Sequence, residues 1–256
     1  MKKQFQFLAA TFITVAFISC SKQDIKEPLE QMSAEEQTAA NRPGGPITID
    51  PLSIGLEGRF EFNSNLKDHT KQLADGIASR RTGASYGFDR KGNFKSAIYF
   101  DSTYSVKIKG VPQQTNTSLS VWIKPADLNG AGGIAHNDSY WGPLLSQFGP
   151  SLACVVALMS DNPPYGMIQN NQGDYFSIYN ANWHHVVIAY NGSYITVYIN
   201  NVLKTSIPHT GSIPPNLVEY VLGWAPIKKF WKGHLDDLRF YSRTLSAADV
   251  QKLYNL

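Results

Sequence analysis

Trp231-Lys-Gly-His-Leu-Asp-Asp-Leu-Arg-Phe-Tyr-Ser-Arg-Thr-Leu-Ser-Ala-Ala-Asp-Val-Gln-Lys-Leu-Tyr-Asn-Leu256 closes the chain, and its reading decides the fold. The first part has strand character and carries two adjacent acids, Asp236 and Asp237. A sharp turn follows, then one short amphipathic helix with its start signals in place. Ser246 stands where an N-cap belongs, Asp249 three residues later completes a capping box, and Leu245 with Val250 forms a hydrophobic staple. Val250, Leu253 and Tyr254 share one helical face. A single well-capped helix at the end of a chain rich in strand signals is expected to be a lock packed onto a sheet.

Upstream of this tail, short apolar segments separated by turn residues recur at 58–62, 97–100, 104–109, 118–124, 153–159, 175–179, 183–190, 194–200, 218–222 and 232–241. Regular helical periodicity is confined to the C-terminus, so the pattern predicts an antiparallel sandwich or jelly roll. The clearest local unit is a hairpin. Trp183 to Tyr190 and Tyr194 to Asn200 flank Asn191-Gly192-Ser193, residue types that accept positive φ in tight turns. On the second strand Ile195, Val197 and Ile199 point to the core, and Tyr194, Thr196 and Tyr198 point away. The first strand is apolar on both faces, which predicts a central position.

At the other end, Lys2 and Lys3 precede an almost uncharged run from Phe5 to Ser19. A membrane span needs about 20 apolar residues, so residues 1–20 read instead as a signal peptide. Phe17-Ile18-Ser19-Cys20 is similar to a bacterial lipobox, which makes Cys20 the expected lipidation site. Ser21 after it, in place of an aspartate, favours the outer membrane of a Gram-negative bacterium. Residues 21–50 hold no aromatic residue and include Arg42-Pro-Gly-Gly-Pro46, so they are expected to form a flexible tether, with a short helix over 33–40 as an option. Residues 51–256 are then one domain, since sandwiches of that size are ordinary and no second linker interrupts them. Cys154 lies in an apolar run and reads as a small buried hydrophobe; with Cys20 lipidated, no disulfide forms within one chain. The formal charge of +3 falls to +1 once Lys2 and Lys3 leave with the leader. No Lys/Arg-rich block points to nucleic acid.

The order of motifs from residue 52 onward resembles the LamG-like jelly-roll domains of the concanavalin A-like lectin/glucanase superfamily. Leu56 to Asn65 with Asp68 is similar to the family's first strand and its acidic turn. Ala97-Ile-Tyr-Phe-Asp101, Leu119-Ser-Val-Trp-Ile-Lys-Pro125, Trp183-His-His-Val-Val187, Leu222-Gly223 and the closing tail follow in the family's order. Asn200-Asn201 departs from the usual Asn-Gly, and Trp224 stands where a small or basic residue is common. Asn tolerates the same left-handed backbone, so the fold is unaffected. The resemblance implies an all-β, two-sheet antiparallel jelly-roll sandwich of concanavalin A-like type with one short C-terminal helix.

Several constellations bear on function. Asp236 and Asp237 alternate across a strand, which keeps them from acting as a facing acid/base couple. Calcium wants several hard oxygens, so Asp68 and Asp236 are the expected ligands of a structural calcium ion, as the resemblance implies near the terminal strands. The alternative is a salt bridge to Arg239 or Arg243. His184 and His185 also alternate, and the resemblance makes them structural, with a buried imidazole bonding backbone. Sugar recognition needs planar aromatics beside amides and carboxylates. The glycine-rich stretch Asn129 to Gly142, read as a loop, offers His136, Asn137, Asp138, Tyr140 and Trp141; Tyr165 and Trp224 are similar in character. Trp141 capping the core is the alternative. The Tyr194/Thr196/Tyr198 face is a rival platform, or else ordinary cross-strand packing.

The Glu-x-Asp-x-x-Glu string of the superfamily's glucanases is absent, and so are a nucleophile elbow, a phosphate loop and HExxH. Glu57 and Glu61 share a strand face with no aspartate between them. The expected function is therefore that of a lipid-anchored cell-surface protein that binds glycan or another extracellular ligand through its loops without catalysis. A glycoside hydrolase or polysaccharide lyase on the same fold, and a protein-binding adhesion module, are the alternatives.

Overall fold

The computed structural model describes residues 49–138, 142–157, 175–178, 180–225 and 229–256, with the side chains of Ala157 and Tyr175 left out. Cys20 and the expected leader, the expected tether through residue 48 with its optional helix at 33–40, and Tyr140, Trp141 and Tyr165 lie outside the described residues.

After a 3-10 turn at Pro51–Ser53, the first strands are β1 (Leu56–Phe60), β2 (Ile77–Ala78), β3 (Ser85–Gly87), β4 (Ala97–Asp101), β5 (Val106–Gln113) and β6 (Asn116–Pro125). The middle strands are β7 (Ala131–Asn137), β8 (Gly142–Phe148), β9 (Ser151–Ala157), β10 (Tyr175–Ser177), β11 (His184–Asn191) and β12 (Tyr194–Ile199). The last are β13 (Val202–Pro208), β14 (Asn216–Leu222), β15 (Trp224–Ala225), β16 (Lys229–Phe230) and β17 (Lys232–Tyr241), followed by helix α1 (Ala247–Tyr254). They form the expected two-sheet sandwich. One sheet runs β13-β12-β11-β6-β17-β4-β3, with β1 added on β17; the other runs β10-β9-β8-β7-β14-β5-β2, with the small β15/β16 ladder added on β7. Phe60, Phe100, Leu119, Ile134, Leu145 and Leu222 are among the side chains buried between the two sheets. Cys154 is wholly buried among them on β9, as its apolar neighbours predicted.

The hairpin forms as read. Tyr190 pairs with Ile195 and Val186 with Ile199, Gly192 takes φ +89°, and Asn191 Oδ1 accepts the amides of Ser193 and Tyr194 at 3.0 and 2.8 Å. Asn200 and Asn201 both adopt left-handed φ, 53° and 62°, in the next turn. Strand β11 sits between β12 and β6, and it is apolar on both faces because both are covered. Val186 and Ile188 enter the inter-sheet core, while Val187 lies under the C-terminal helix with Leu52, Tyr241, Leu245, Val250 and Leu253.

That helix is the lock the tail predicted. Ser246 Oγ accepts the amide of Asp249 at 3.2 Å, and Asp249 Oδ2 accepts the amide of Ser246 at 2.9 Å, closing the capping box. Arg243 Nη1 donates to Asp249 at 2.7 Å, and that bond, with those from Ser246, holds the carboxyl down at about 2. The Tyr254 ring stacks on Trp122 at 5.4 Å. Burial of each of Val250 and Leu253 contributes about 1.5–3 kcal/mol, which outweighs any intrinsic preference of eight residues for helix. Ser246→Ala should lower stability by about 1 kcal/mol in a urea melt. An unchanged midpoint would remove the cap from the account.

Two expectations are corrected. The glycine-rich stretch 131–137 is not a loop but strand β7, hydrogen-bonded to β8 and β14 near the middle of its sheet. Its glycines are there for close packing: a Cβ on Gly132 would lie 2.7 Å from Trp231 Cα, and one on Gly133 2.5 Å from Ala225 Cβ. The alternation of Asp236 and Asp237 also fails. A bulge in β17 opposite β6 places an extra residue between Asp236 and Arg239, and Asp237 takes φ +46°. Both carboxylates consequently reach one cleft and one partner, Arg90.

Candidate functional site

Strands β5, β14 and β7 turn one set of side chains into the core and the other outward. On β14, Val218, Tyr220 and Leu222 are buried while Glu219 and Val221 face out; on β5, Ile108 is buried and Lys107 exposed. The outward set forms one wall of a cleft of about 460 Å³. The β15/β16 ladder supplies the other wall. Trp224 pairs with Phe230 across it, and Phe230 bridges to Gly133 of β7, so the bare Gly132-Gly133 backbone lets two aromatic rings come to the cleft's edge.

Of the seven ligand residues expected from sequence, His136, Asn137, Asp138 and Trp224 line this cleft together. Lys107, Glu219 and Phe230 join them and were not foreseen, because only strand pairing brings residues so distant in sequence side by side. Lys107 Nζ stands 2.5 Å from Glu219 Oε1, and the Glu219 amide donates to Asp138 Oδ1 at 3.0 Å. The Asp138 amide donates back to the Glu219 carbonyl at 3.0 Å. Nε2 of His136 shares a 2.5 Å hydrogen bond with Ser146 Oγ, and its Nδ1 is buried with no partner among the described residues. Burial pushes this imidazole down to about 4, so it is neutral at pH 7. Asn137 is almost wholly buried and its side chain meets the Tyr220 hydroxyl. The result is a shallow site with two aromatic rings and fixed donors and acceptors close together.

The two carboxylates expected to hold calcium are engaged otherwise. Asp68 Oδ1 accepts the amides of Arg59 and Thr70 at 2.8 and 3.1 Å. Its Oδ2 accepts those of Gln72 and Leu73 at 2.9 and 2.8 Å, and the Thr70 hydroxyl at 2.6 Å. Burial raises its pKa, and these bonds outweigh burial and hold it below the ordinary value. Asp236 pairs with Arg90, and burial raises it to about 6. Asp237 is gripped by Arg239 through Nε at 2.8 Å and Nη2 at 3.1 Å, the salt bridge named as the alternative; Arg243 goes to Asp249 instead. Among the described residues no group of three His, Cys, Asp or Glu side chains gathers for a metal. With five hydrogen bonds already on Asp68 and a guanidinium on Asp236, these two side chains do not fit the open, oxygen-offering ligands a calcium ion takes.

The two histidines are engaged within the fold. His185, 1% exposed, shares a 2.9 Å hydrogen bond with Ser120 Oγ, and His184 meets the Asn180 carbonyl at 3.4 Å and the Asn200 side chain at 3.2 Å. On the rival aromatic face, Tyr198 packs against the cluster under the helix, while Tyr194 is 46% exposed.

The architecture is that of a lectin-like sandwich with a cleft on the outer face of one sheet. The chain belongs to the Concanavalin A-like lectin/glucanases superfamily, whose laminin G family model matches residues 100–251. Domain 4 of AbnA, a GH43 extracellular arabinanase from Geobacillus stearothermophilus, solved with arabinotriose, is 18% identical. It matches with a TM-score of 0.51 over 78% of this chain and 98% of its own. The receptor binding domain of the botulinum neurotoxin C/D mosaic serotype is 15% identical, with a TM-score of 0.59 over 78% of this chain and 51% of its own. The binding domain of botulinum neurotoxin DC, solved with rat synaptotagmin II, matches at 15% identity and a TM-score of 0.55, with the same two coverages of 78% and 51%. The alignment thus spans about half the length of those toxin domains. No curated protein matches the chain.

Proposed function

We propose that this protein binds carbohydrate, without catalysis, in the cleft on the outer face of the β7-β14-β5 sheet, and that a lipid on Cys20 holds it at the outer membrane. The observation that carries the reading is the meeting of Trp224 and Phe230 with Asp138, Glu219, Lys107 and His136 around one open cleft. Aromatic faces stack on the C–H face of a sugar ring, and the fixed polar groups read its hydroxyls. Binding without chemistry is favoured because Glu219 is committed to Lys107 and Asp138 to the Glu219 amide. A sandwich of the same fold carries arabinotriose, which puts arabinan among the polysaccharides to try first.

The test is binding of the soluble unit from Ile49 to Leu256 to a panel of plant, algal and bacterial polysaccharides. Trp224→Ala should weaken the interaction by about 10-fold or more, the loss expected when a small site gives up one of its two stacking aromatics. An equal affinity in the variant would reject this cleft, and release of reducing or unsaturated ends would reject the non-catalytic reading. The anchor is tested separately, by labelled-lipid incorporation that Cys20→Ser abolishes.

A further inference from the structure

The loop between β3 and β4, residues 88–96, displays two phenylalanines to solvent. Phe88 is 59% and Phe94 63% exposed, and their rings lie 5.1 Å apart, tilted by 47°. Isolated exposed apolar residues are unremarkable on a protein surface, but a pair of aromatic rings held side by side by a rigid loop is a different matter. Here the loop is built to hold them. Asp89 Oδ1 accepts the amides of Lys91 and Asn93 at 2.9 and 2.7 Å, and its Oδ2 takes the Asn93 side chain at 2.8 Å. Gly92 takes φ +85°, and Lys95, a residue with a Cβ, is held at φ +59°. Arg90 ties the base of the loop to Asp236 and lies over the Trp122 ring at 5.1 Å.

The chemistry left at the tip is narrow. Asp89 keeps its charge but turns its oxygens onto Asn93 and the loop's own amides, and Arg90 is paired with Asp236, which leaves the two rings flanked by the exposed ammonium groups of Lys91 and Lys95, two cations to one anion. Lys95 Nζ stands 5.7 Å from the Phe94 ring. Sugar hydroxyls need a set of paired donors and acceptors, and this tip offers cations and apolar surface. That combination matches the boundary of an anionic bilayer, where rings enter the acyl edge and lysines stay with the phosphates.

We propose that this loop docks on an anionic phospholipid surface, with Phe88 and Phe94 inserted and Lys91 and Lys95 on the headgroups. The carbohydrate reading plays no part in this inference. The anchor proposed at Cys20 would raise the effective concentration of the loop at the bilayer, so that a weak contact suffices to orient the domain.

The test uses the Ile49–Leu256 unit, which holds both sheets and the helix and lacks the anchor. It should co-sediment with vesicles of phosphatidylglycerol and phosphatidylcholine, and less with phosphatidylcholine alone or at high salt. Phe88→Ser with Phe94→Ser should lower the bound fraction about tenfold, with an unchanged circular dichroism spectrum. Lys91→Gln with Lys95→Gln should abolish the preference for the anionic lipid. A Phe88→Trp variant gives a second reading: its emission should shift to the blue on anionic vesicles and be quenched by brominated acyl chains. No co-sedimentation, binding that neither double variant weakens, or Phe88- and Phe94-dependent binding to a polysaccharide or a protein but not to vesicles would overturn the proposal.

Discussion

Asp237→Asn is expected to lower the unfolding free energy by about 3–5 kcal/mol, the cost of leaving a buried charge without its partner. Both partners are buried, with side-chain exposures of 8% for Asp237 and 5% for Arg239, and the guanidinium grips the carboxylate through two nitrogens. Arg90 and Arg59 also face Asp237, at 3.7 and 4.0 Å, so one lost charge leaves three guanidinium groups sharing Asp236 and Glu61. Asparagine is the informative replacement. It keeps the size and tolerates the left-handed φ of +46°, so the loss reports the charge and not the backbone. Arg239→Met in the same background should restore much of the stability, because the buried cation leaves with its partner. Urea melts at neutral pH decide it: a loss under about 0.5 kcal/mol, typical of a surface pair, would show that water reaches this cleft freely.

The second large effect is a fall in stability on mild acidification. Burial pushes His185 down to about 3, and His136 and His234 to about 4, from an ordinary 6.5. Each is depressed in the folded state, so its contribution is complete above pH 6.5 and is lost as pH falls from 6.5 toward those values. The unfolded chain takes up three protons in that window that the folded chain refuses. Asp236 opposes them. Burial raises it to about 6 from 3.8, so between those values the folded form holds one extra proton and is favoured as pH falls. Three protons against one leave a net of two, and His184, which burial also depresses, adds in the same direction, so the slope is at least about 2–3 kcal/mol per pH unit near pH 5. Denaturant midpoints measured at a series of pH values should fall accordingly, and His185→Gln, which can keep a hydrogen bond to Ser120, should roughly halve the slope. A flat profile from neutral to about pH 5 would mean that these imidazoles accept protons in the folded state. Below the ordinary carboxyl range, the depressed Asp68, Asp101 and Asp249 add to the loss.

The segments that were missed or misread fall into two kinds. Strand β13 has an almost wholly exposed pattern at the sheet edge, so it carries no hydrophobic alternation to detect. Strand β7 was taken for a loop because Gly130, Gly132 and Gly133 are turn residues by composition. At Gly132 and Gly133 their purpose is the approach of Trp231 and Ala225, which lie more than ninety residues later. Asp236 and Asp237 were assigned to opposite faces by a period that holds only for an unbulged strand. For β7 and the two aspartates the deciding contact is made by chain distant in sequence, whereas β13 pairs with the adjoining β12 and lacks a local pattern to read.

What the sequence determined by itself is what local chemistry and periodicity encode. The cap at Ser246, the Asn191-Gly192 turn, the inward face of β12 and the order of motifs place the chain in its fold without reference to any distant contact. The candidate site was half legible for the same reason. His136, Asn137, Asp138 and Trp224 stood out by residue type, but nothing local says that β14 lies beside β7 and brings Glu219 to Asp138, or that Phe230 pairs with Trp224. Tertiary structure alone decided that pairing, and with it both the cleft and the turning of Asp236 and Asp237 toward Arg90. Strand register and bulges are set by the summed packing of two sheets, which no single segment contains.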